Sequence, residues 1–389
     1  MQKKLFEGNE ERKEDFHDTY WKGMPEYSNI KEPEPEITAT FKFRNKKDYE
    51  HFKETVKKHL YGGEKCFDGM QKKGKYQAWY PLKEKASKYK YYDENSSKNP
   101  EFPIYIVSKG RWERNPTRKC LEEMQVPYRI IIEEPQYDDY AKYTDKDKLL
   151  ILPEKYKEEY DTFWKDGDER TGPGCARNFA WDHSISEGYK WHWVMDDNIE
   201  SFERLNKNLK VKCTSGTIFY VCEQYVLRYT NIGQAGLNYT IFCPSSDSRP
   251  AVKFNTRIYS CLLIRNDIPF RWRGRYNEDT DLSLRIMKSG MCTVQFNAFL
   301  QSKRATQSLR GGNSEEFYDK EGTKNKSQML VDMHPDVSKM CYKWNRWHHY
   351  VNYKSFEVNK PKLREDIHIQ EETNEYGMIL QEKELYDGR

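Results

Sequence analysis

The sequence predicts an α/β fold in which helices flank a mostly parallel β-sheet. Short apolar runs, each long enough for one strand, recur along the second quarter of the chain. Between them lie segments with helical spacing or helix-start signals. Strands that alternate with helices are typical of βαβ units, whose connections make neighbouring strands parallel. The runs that carry this prediction are "FPIYIVS" (102–108), "YRIIIEE" (128–134), "KLLILPE" (148–154) and "KWHWVMDD" (190–197).

The helices are predicted from their first residues and their spacing. "NPTRKCLEEM" opens with Asn115 as a helix N-cap and Pro116 at the first helical position. "YDDYAKY" (137–143) is expected to be a helix, and "GPGCARNFAWDHSISEG" (172–188) is a Gly-rich entry into a helix that ends at Gly188. Further along the chain we expect a strand at 257–264, a helix at 282–290 and a strand at 292–299.

Shifts in composition divide the 389-residue chain into segments. Residues 37–92 are predicted to form a strand, a turn and a helix, followed by a returning strand at 76–82. The apolar face of the helix carries Tyr49, Phe52, Val56 and Leu60. The predicted segments are a polar N-terminal arm (1–36), a small basic α+β module (37–92), a linker (93–101), a large α/β domain (102–356) and an acidic C-terminal tail (357–389).

The composition excludes several classes of protein. Charged residues make up 33% of the chain, but aromatic residues make up 15%. The chain therefore has the large apolar side chains for a packed core that disordered chains lack. Its nine cysteines include no CxxC pair and no Cys/His zinc spacing, so we expect reduced thiols and no structural zinc. No window reaches the roughly 18 apolar residues of a membrane span. We therefore expect a soluble intracellular protein.

Positive charge is concentrated in one part of the chain. The net charge is only +4, but residues 41–90 hold 15 Lys or Arg against 6 Asp or Glu. Such a region is typical of a surface that meets a polyanion, and equally of a solvated Lys-rich surface.

Two adjacent carboxylates follow the most apolar of the predicted strands. In "WHWVMDDNIESF" (191–202), Asp196 and Asp197 stand at the carboxyl end of the strand. Neighbouring carboxylates repel each other and are costly to bury, whereas Mg²⁺ or Mn²⁺ bound to them relieves that cost. Side chains alternate along a strand, so one carboxylate would face the metal and the other a polar partner. The alternative is that Asp197 or Asn198 simply begins a turn.

A second acidic pair precedes a predicted helix. In "YNEDTDLSLR", Glu278 and Asp279 lie near the helix N-terminus, whose dipole favours the ionised form. An ionised carboxylate there is suited to act as a general base. The alternative is an N-cap at Asp279 and a solvated Glu278.

Several loops have the features of anion sites. "SKGRWERNPTR" (108–118) combines a glycine, basic side chains and a helix start, although its spacing matches neither a P-loop nor a dinucleotide fingerprint. "GPGCARN" places Arg177 at another helix start, where a bidentate contact to phosphate is possible. "RGGN" (310–313) offers backbone amides that a phosphate can approach closely.

The order of these motifs resembles that of the GT-A glycosyltransferases, which use a DXD-type metal motif and a downstream acidic base. Within that class the chain is similar to the TET-associated glycosyltransferases, a group found largely in bacteriophages and linked to hypermodified DNA bases. The resemblance implies a GT-A-like, Rossmann-like fold for residues 102–356. It is carried by "IVSKGRW", "GCARNFAWDHS", "WHWVMDDNI", "RYNEDTDLSLR", "FNAF", "GGN", "HPDV" and "HHYVNY".

The resemblance also implies roles for particular residues. Asp196 and Asp197 would bind Mn²⁺ or Mg²⁺ and the donor sugar, and Glu278 or Asp279 would be the catalytic base. The other residues implied to bind the nucleotide-sugar donor are Ser108, Gly110 and Arg111, Glu133 or Glu134 near the base or ribose, and Arg177, Gly311, Gly312 and Asn313 at the diphosphate.

The activity implied is transfer of a sugar from a UDP-sugar to 5-hydroxymethylcytosine in phage DNA, in the cytoplasm of an infected host. Glucose, N-acetylglucosamine and arabinose remain open as the sugar, and so does a sugar already attached to the base as the acceptor. A single displacement inverts the anomeric configuration, and a retaining mechanism stays open. The target base is expected to flip out of the duplex.

DNA contacts are expected from two cationic stretches and from the basic module. In residues 342–354 aromatic and cationic side chains interleave, which suits base stacking, although a helix packed on the sheet is an equal alternative. The residues predicted to contact DNA are Arg271, Arg273, Arg275, Lys343 and Arg346.

Two other functions are consistent with the same residues. A metal-dependent nucleotidyltransferase or nuclease also pairs carboxylates around Mg²⁺. A nucleic-acid-binding protein with an inactive site would retain the basic surface alone.

Overall fold

The computed structural model describes residues 20–29, 41–59, 88–93, 98–163, 172–245, 249–303, 319–343 and 345–383. The chain divides into two compact units. The larger comprises Met1–Lys31 and Tyr91–Leu380, and the smaller comprises Glu32–Lys90 and Gln381–Arg389. Among the described residues, no helix has the length and apolar character that crossing a bilayer requires.

The helices are mostly short. The α-helices are α1 (Lys46–Val56), α2 (Pro116–Glu123), α3 (Tyr137–Tyr140), α4 (Lys155–Glu158), α5 (Gly174–Ser186), α6 (Thr217–Val226), α7 (Glu278–Lys288) and α8 (Asp319–Met333). Single turns of 3-10 helix lie at Lys57–His59, Glu134–Gln136, Lys146–Lys148, Thr240–Phe242 and Tyr353–Phe356.

The strands form one large sheet and two small ones. They are β1 (Lys88–Asp93), β2 (Ile104–Val107), β3 (Arg129–Ile132), β4 (Leu149–Ile151), β5 (Trp191–Asp196), β6 (Ile199–Asn206), β7 (Leu209–Lys212), β8 (Ile232–Tyr239), β9 (Val252–Phe254), β10 (Cys261–Arg265), β11 (Cys292–Lys303), β12 (Ser338–Lys343), β13 (Arg346–Val351) and β14 (Met378–Lys383). The strand order in the large sheet is β4-β3-β2-β5-β10-β8-β11-β6-β7, with β9 on β11. The small sheets pair β1 with β14 and β12 with β13.

The large sheet is parallel on the side that precedes β10. There β4, β3, β2 and β5 all run in one direction. β10 is antiparallel to both of its neighbours, β5 and β8, so β8 runs in the same direction as β5. β11 is parallel to β8. The carboxyl ends of β2, β5, β8 and β11 therefore lie at the same edge of the sheet, which is where α/β sheets bind ligands.

Helices cover both faces of this sheet. On one face Trp181 of α5 and Leu282 and Ile286 of α7 join a buried cluster with Val194 and Leu262 of the sheet. On the other face Phe219 of α6 packs edge-on against Trp193, with ring centroids 5.3 Å apart. The adjacent residues Trp193 and Val194 of β5 thus point to opposite faces, as strand geometry requires. The predicted α/β fold, with a mostly parallel sheet flanked by helices, is confirmed and is compatible with a GT-A-like fold.

The strands and helices differ from the sequence predictions at several points. The strand predicted at 257–264 begins at Cys261, and the helix predicted at 282–290 begins four residues earlier, at Glu278. Residues 342–343 and 345–351 lie in the β12–β13 hairpin, where Asn345 has φ +58° at the turn, so they do not form the helix that was the alternative for this segment. The strand predicted at 76–82 lies outside the described residues.

The N-terminal segment is more than a polar arm. Trp21 is buried in the larger unit, where its ring lies 5.6 Å from that of Tyr225 and 6.1 Å from that of Phe299. Residues of the predicted acidic tail also pack there, since Glu375 pairs with the buried Arg204 at 2.7 Å. Scattered apolar residues in polar segments give no periodic signal, and the sequence prediction therefore missed this packing.

The smaller unit contains helix α1. Asn45 caps it, because the Asn45 side chain accepts a hydrogen bond from the amide of Asp48 at 3.0 Å. Phe41 and Phe43 pack on Phe52 of the helix, with ring centroids 4.9 and 5.0 Å apart. Among residues 41–59, the predicted helix is present and no strand is described.

A buried glutamate anchors the entry into β2. Glu223 of α6 accepts hydrogen bonds from the amides of Glu101 (2.7 Å) and Phe102 (3.2 Å) and from Trp193 Nε1 (2.8 Å). The side chain is fully buried. It links α6, the segment before β2, and β5.

We expect Glu223→Gln to lower the free energy of unfolding by about 1–3 kcal/mol, because the glutamine –NH₂ group would face N–H donors that need an acceptor. Chemical denaturation measures this loss. Glu365→Gln makes the same change at an exposed residue and is the matched control. Equal stability of the two variants would contradict the anchoring role.

Candidate active site

The candidate active site lies where the carboxyl ends of β2 and β5 meet. The two strands are parallel neighbours, and Val107 pairs with Asp196 in their register. The residues that follow, Ser108 and Asp197, are both buried. Ser108 Oγ donates to Asp197 Oδ2 at 2.7 Å. Side chains far apart in the sequence meet here because parallel strands end at one edge of the sheet.

Asp197 is held by the loop that follows β2. Arg111 Nη1 donates to its Oδ1 at 2.5 Å, and Ser108 donates to its Oδ2. Ser108 Oγ accepts in turn from Tyr140 OH at 2.6 Å and from Asn115 Nδ2 at 3.3 Å. Burial raises the pKa of Asp197, and Arg111 and Ser108 offset the rise only in part. The Asp197 carboxylate therefore fixes the Arg111 guanidinium at the strand end.

Asp196 has a different set of partners. Arg177 Nη2 donates to its Oδ1 at 2.9 Å, whereas Ser260 Oγ and Lys303 Nζ both donate to its Oδ2 at 2.6 Å. Burial raises the pKa of Asp196, but Lys303 and Arg177 outweigh it and hold the pKa well below its usual range. Asp196 is therefore ionised and sits between two cations.

Arg177, in the first turn of α5, joins the two predicted acidic motifs. Besides Asp196, its Nη1 atom donates to Glu278 Oε1 at 3.1 Å and to Asp279 Oδ1. The Arg177 side chain is only 3% exposed. Its guanidinium carbon lies 4.7 Å from the centroid of the Trp272 ring, a cation–π contact. One buried cation is thus shared by three carboxylates from β5 and α7.

Glu278 and Asp279 are the first two residues of α7. Asn277 precedes them with φ +56°, so Asp279 lies inside the helix and not at its N-cap. Burial raises the pKa of Asp279 to about 7, against the lowering effect of Arg177 and with a further rise from Glu278. A carboxylate with this pKa takes up a proton near neutral pH, as a general base must.

The other predicted nucleotide contacts that the structure describes follow β2 and β3. The amide of Gly110, which has φ +69°, donates to Gln136 Oε1 at 3.0 Å. Glu133 pairs with Lys109 at 3.3 Å and is partly exposed, and Glu134 begins the 3-10 helix after β3. Gly311, Gly312 and Asn313 lie outside the described residues.

The donor set does not fit the predicted Mg²⁺ or Mn²⁺. Both oxygens of Asp196 already accept from cations, and both oxygens of Asp197 accept from Arg111 and Ser108. Over the part of the chain that the structure describes, no three His, Cys, Asp or Glu side chains are arranged to hold a metal ion.

A sequence model of the TET-associated glycosyltransferase family matches residues 102–312. The match covers more than half of the chain. It includes every residue of the strand-end cluster, which consists of Ser108, Arg111, Arg177, Asp196, Asp197, Ser260, Glu278, Asp279 and Lys303. The chain belongs to the TET-associated glycosyltransferase family. Its activity is therefore that of a glycosyltransferase, as the resemblance predicted. No protein with a curated description matches the chain.

Two members of this candidate site were missed from the sequence. Ser260, with φ +62°, precedes β10, and Lys303 is the last residue of β11. Both donate to Asp196, and Tyr239 OH lies 2.7 Å from Ser260 Oγ. The rule that strand ends carry the ligand contacts would have found Lys303 if β11 had been predicted to end at 303 and not at 299.

Of the arginines predicted to contact DNA, one is buried in the glycosyltransferase and another is bound to a buried carboxylate. Arg275 is 2% exposed, and Arg273 Nη2 donates to the fully buried Asp281 at 3.1 Å. Asp281 also binds Arg285 at 2.7 Å and His334 at 2.9 Å. A buried carboxylate requires such partners, and sequence reasoning could not see it.

The other predicted DNA contacts remain accessible. Lys343 and Arg346 are exposed at the turn of the β12–β13 hairpin. Arg271 is 42% exposed, although it pairs with Asp182 at 3.3 Å and lies over the Trp181 ring. None of these residues lies in the strand-end cluster.

We expect Arg177→Met to destabilise the protein by about 3–5 kcal/mol at pH 8, because it leaves buried carboxylates without their shared cation. Without the cation the pKa values of these carboxyls rise, so the folded variant binds more protons than the folded wild type does. The loss in free energy of unfolding therefore becomes smaller as the pH falls toward 5. Thermal and denaturant unfolding across this range measure it. Arg346→Met, at an exposed arginine, is the control, and a loss independent of pH would contradict the shared-cation role.

Proposed function

We propose that the protein transfers a sugar from a UDP-sugar to the hydroxymethyl oxygen of 5-hydroxymethylcytosine in DNA. Family membership supports glycosyl transfer. The observation that carries the proposal is the position of Asp279, a buried carboxyl with a pKa of about 7, held by Arg177 next to the carboxyl end of β5. A base and fixed cations at one strand end are what a displacement at a sugar diphosphate needs.

The donor is proposed to bind across the ends of β2 and β5. The Gly110 backbone and the Arg111 guanidinium would lie at the nucleotide phosphates, with Glu133 or Glu134 near the base or ribose. The predicted diphosphate contacts of Gly311, Gly312 and Asn313 remain part of the proposal. Asp196 Oδ1, whose described donor is Arg177, would accept a further hydrogen bond from a sugar hydroxyl, because a carboxylate oxygen has two lone pairs.

In the proposed reaction the acceptor oxygen attacks the anomeric carbon of the donor sugar. The bond between that carbon and the diphosphate oxygen breaks, and the electron pair leaves with the diphosphate. Asp279 takes the proton of the acceptor hydroxyl, with Glu278 as the second candidate base. A single displacement of this kind inverts the anomeric configuration.

The β12–β13 hairpin is proposed to contact the DNA. Its exposed Tyr342 and Trp347 rings lie 5.3 Å apart, edge to face, beside Lys343 and Arg346. Helix α8 connects the hairpin to the start of α7, which carries the candidate catalytic base. Ser327 Oγ donates to Trp347 O at 3.5 Å, and Asn277 Nδ2 donates to Lys326 O at 2.7 Å. Interleaved rings and cations suit nucleic acid. A phage DNA substrate would place the enzyme in the cytoplasm of an infected host, and the target base would flip out.

The direct test is incubation of the protein with hydroxymethylated DNA and separate UDP-glucose, UDP-N-acetylglucosamine and UDP-arabinose donors. We expect one donor to add the mass of its sugar to 5-hydroxymethylcytosine, detected by mass spectrometry of the nucleosides. Asp279→Asn should reduce the rate by about 10²–10⁴-fold, the usual contribution of a general base. Asp332→Asn, at a carboxylate of α8 that makes no contact to Arg177, is the matched control.

The rate of transfer should rise with pH through about 7, because Asp279 must lose its proton before it can accept another. No transfer with any donor, onto either the bare base or a base that already carries a sugar, would refute the proposed function. A transfer rate that stays constant between pH 5.5 and 8.5, about one and a half pH units on each side of the Asp279 pKa of about 7, would exclude Asp279 as the catalytic base.

We expect the double variant Lys343→Ala, Arg346→Ala to weaken DNA binding uniformly across sequences. Each lost phosphate contact should reduce the slope of log K against log salt by about 0.9. Fluorescence anisotropy at several salt concentrations measures the slope. Lys142→Ala, at an exposed lysine paired with Asp139, is the control, and an unchanged slope in the double variant would exclude the hairpin from the DNA interface.

A further inference from the structure

Lys303 carries a buried positive charge into the site. It is the last residue of β11, and its side chain is 13% exposed. Its Nζ atom donates to Asp196 Oδ2 at 2.6 Å and to Ser260 Oγ at 2.9 Å. Burial lowers the pKa of Lys303, but the Asp196 carboxylate outweighs this and raises it overall. The ammonium group is therefore charged at neutral pH.

The Lys303 ammonium sits where a divalent cation would have to bind. A metal ion on Asp196 would compete with Lys303 and Ser260 for Oδ2 and with Arg177 for Oδ1. It would also lie within a few ångströms of two fixed cations, and like charges at such distances repel strongly in a buried site.

The network around Lys303 keeps the ammonium group in place. Ser260 gives its only hydroxyl proton to Asp196 Oδ2, so its oxygen accepts from Lys303 and, at 2.7 Å, from Tyr239 OH. An ammonium group has three N–H donors. Contacts with the described residues use two of them, which leaves the third for an anion at the strand end.

We propose that Lys303 provides the fixed positive charge at the leaving diphosphate, so that transfer proceeds without a divalent metal. This inference rests on the proposed function. As the bond between the anomeric carbon and the diphosphate oxygen breaks, negative charge grows on the diphosphate, and a preorganised ammonium group stabilises it. Lys303 remains protonated throughout, and the proton of the acceptor hydroxyl goes to the carboxylate base.

The test measures UDP binding by calorimetry on the full-length protein, first in excess EDTA and then with Mn²⁺. We expect the wild type to bind UDP equally in both conditions. Lys303→Met should lose affinity about tenfold or more, since a hydrogen bond to a charged group is lost. Lys303→Arg should recover part of it, because the charge is retained. Lys190→Met, at the opposite end of β5, is the matched control and should bind UDP as the wild type does.

Thermal unfolding of each variant shows whether it is folded, and transfer to hydroxymethylated DNA in EDTA is the second readout. UDP binding that needs Mn²⁺ and is lost in Asp196→Asn would overturn the inference and leave the proposed function intact. Unchanged UDP affinity in folded Lys303→Met would also overturn it. If UDP binds in neither condition and no sugar is transferred, the proposed function itself is wrong and the inference falls with it.

Discussion

The candidate site depends on one buried arginine shared by three carboxylates. Arg177 bridges Asp196 at the end of β5 to Glu278 and Asp279 at the start of α7. An uncompensated carboxylate in the protein interior costs several kcal/mol, so the elements that carry these groups can meet only where a cation is present. The same contact lowers the pKa of the candidate base Asp279, against the larger rise that burial causes.

The other cations of the site each come from a different structural element. Arg111 follows β2, and Lys303 ends β11, and each is fixed by one member of the Asp196–Asp197 pair. The two carboxylates thus bind these cations and fix their positions. This arrangement suits a diphosphate ligand, because guanidinium and ammonium groups already held in place lose little freedom when the anion binds. It also explains why adjacent acidic residues at a strand end do not by themselves identify a metal site.

Much of this architecture could be predicted from the sequence. The strand-end rule placed Ser108, Asp196 and Asp197 together because their strands are short, apolar and separated by well-marked helices. Arg177 and the Glu278–Asp279 pair followed from helix starts. Lys303 did not, because β11 extends beyond its apolar run into polar residues, and a strand end cannot be located from hydrophobicity there.

Contacts made through the tertiary structure account for the other differences. Arg273 and Arg275 were predicted to lie on a basic surface because nothing local in the sequence shows that Arg275 is buried, or that Arg273 binds a buried carboxylate, Asp281. The 342–354 segment has interleaved rings and cations that fit either a helix or a hairpin, and one asparagine turn decides between them. Charge patterns locate functional regions of a sequence, but burial decides which charges face a ligand.

The central claim is that cations fixed by buried carboxylates at the ends of β2, β5 and β11 bind the donor diphosphate. A crystal structure of the protein grown with UDP in EDTA tests it most directly. The account predicts density for the diphosphate within hydrogen-bonding distance of Lys303 Nζ and of the Arg111 guanidinium, with Asp196 still bound to Arg177. A diphosphate bound elsewhere on the sheet, or one that appears only when a metal ion bridges it to Asp196, would contradict the account.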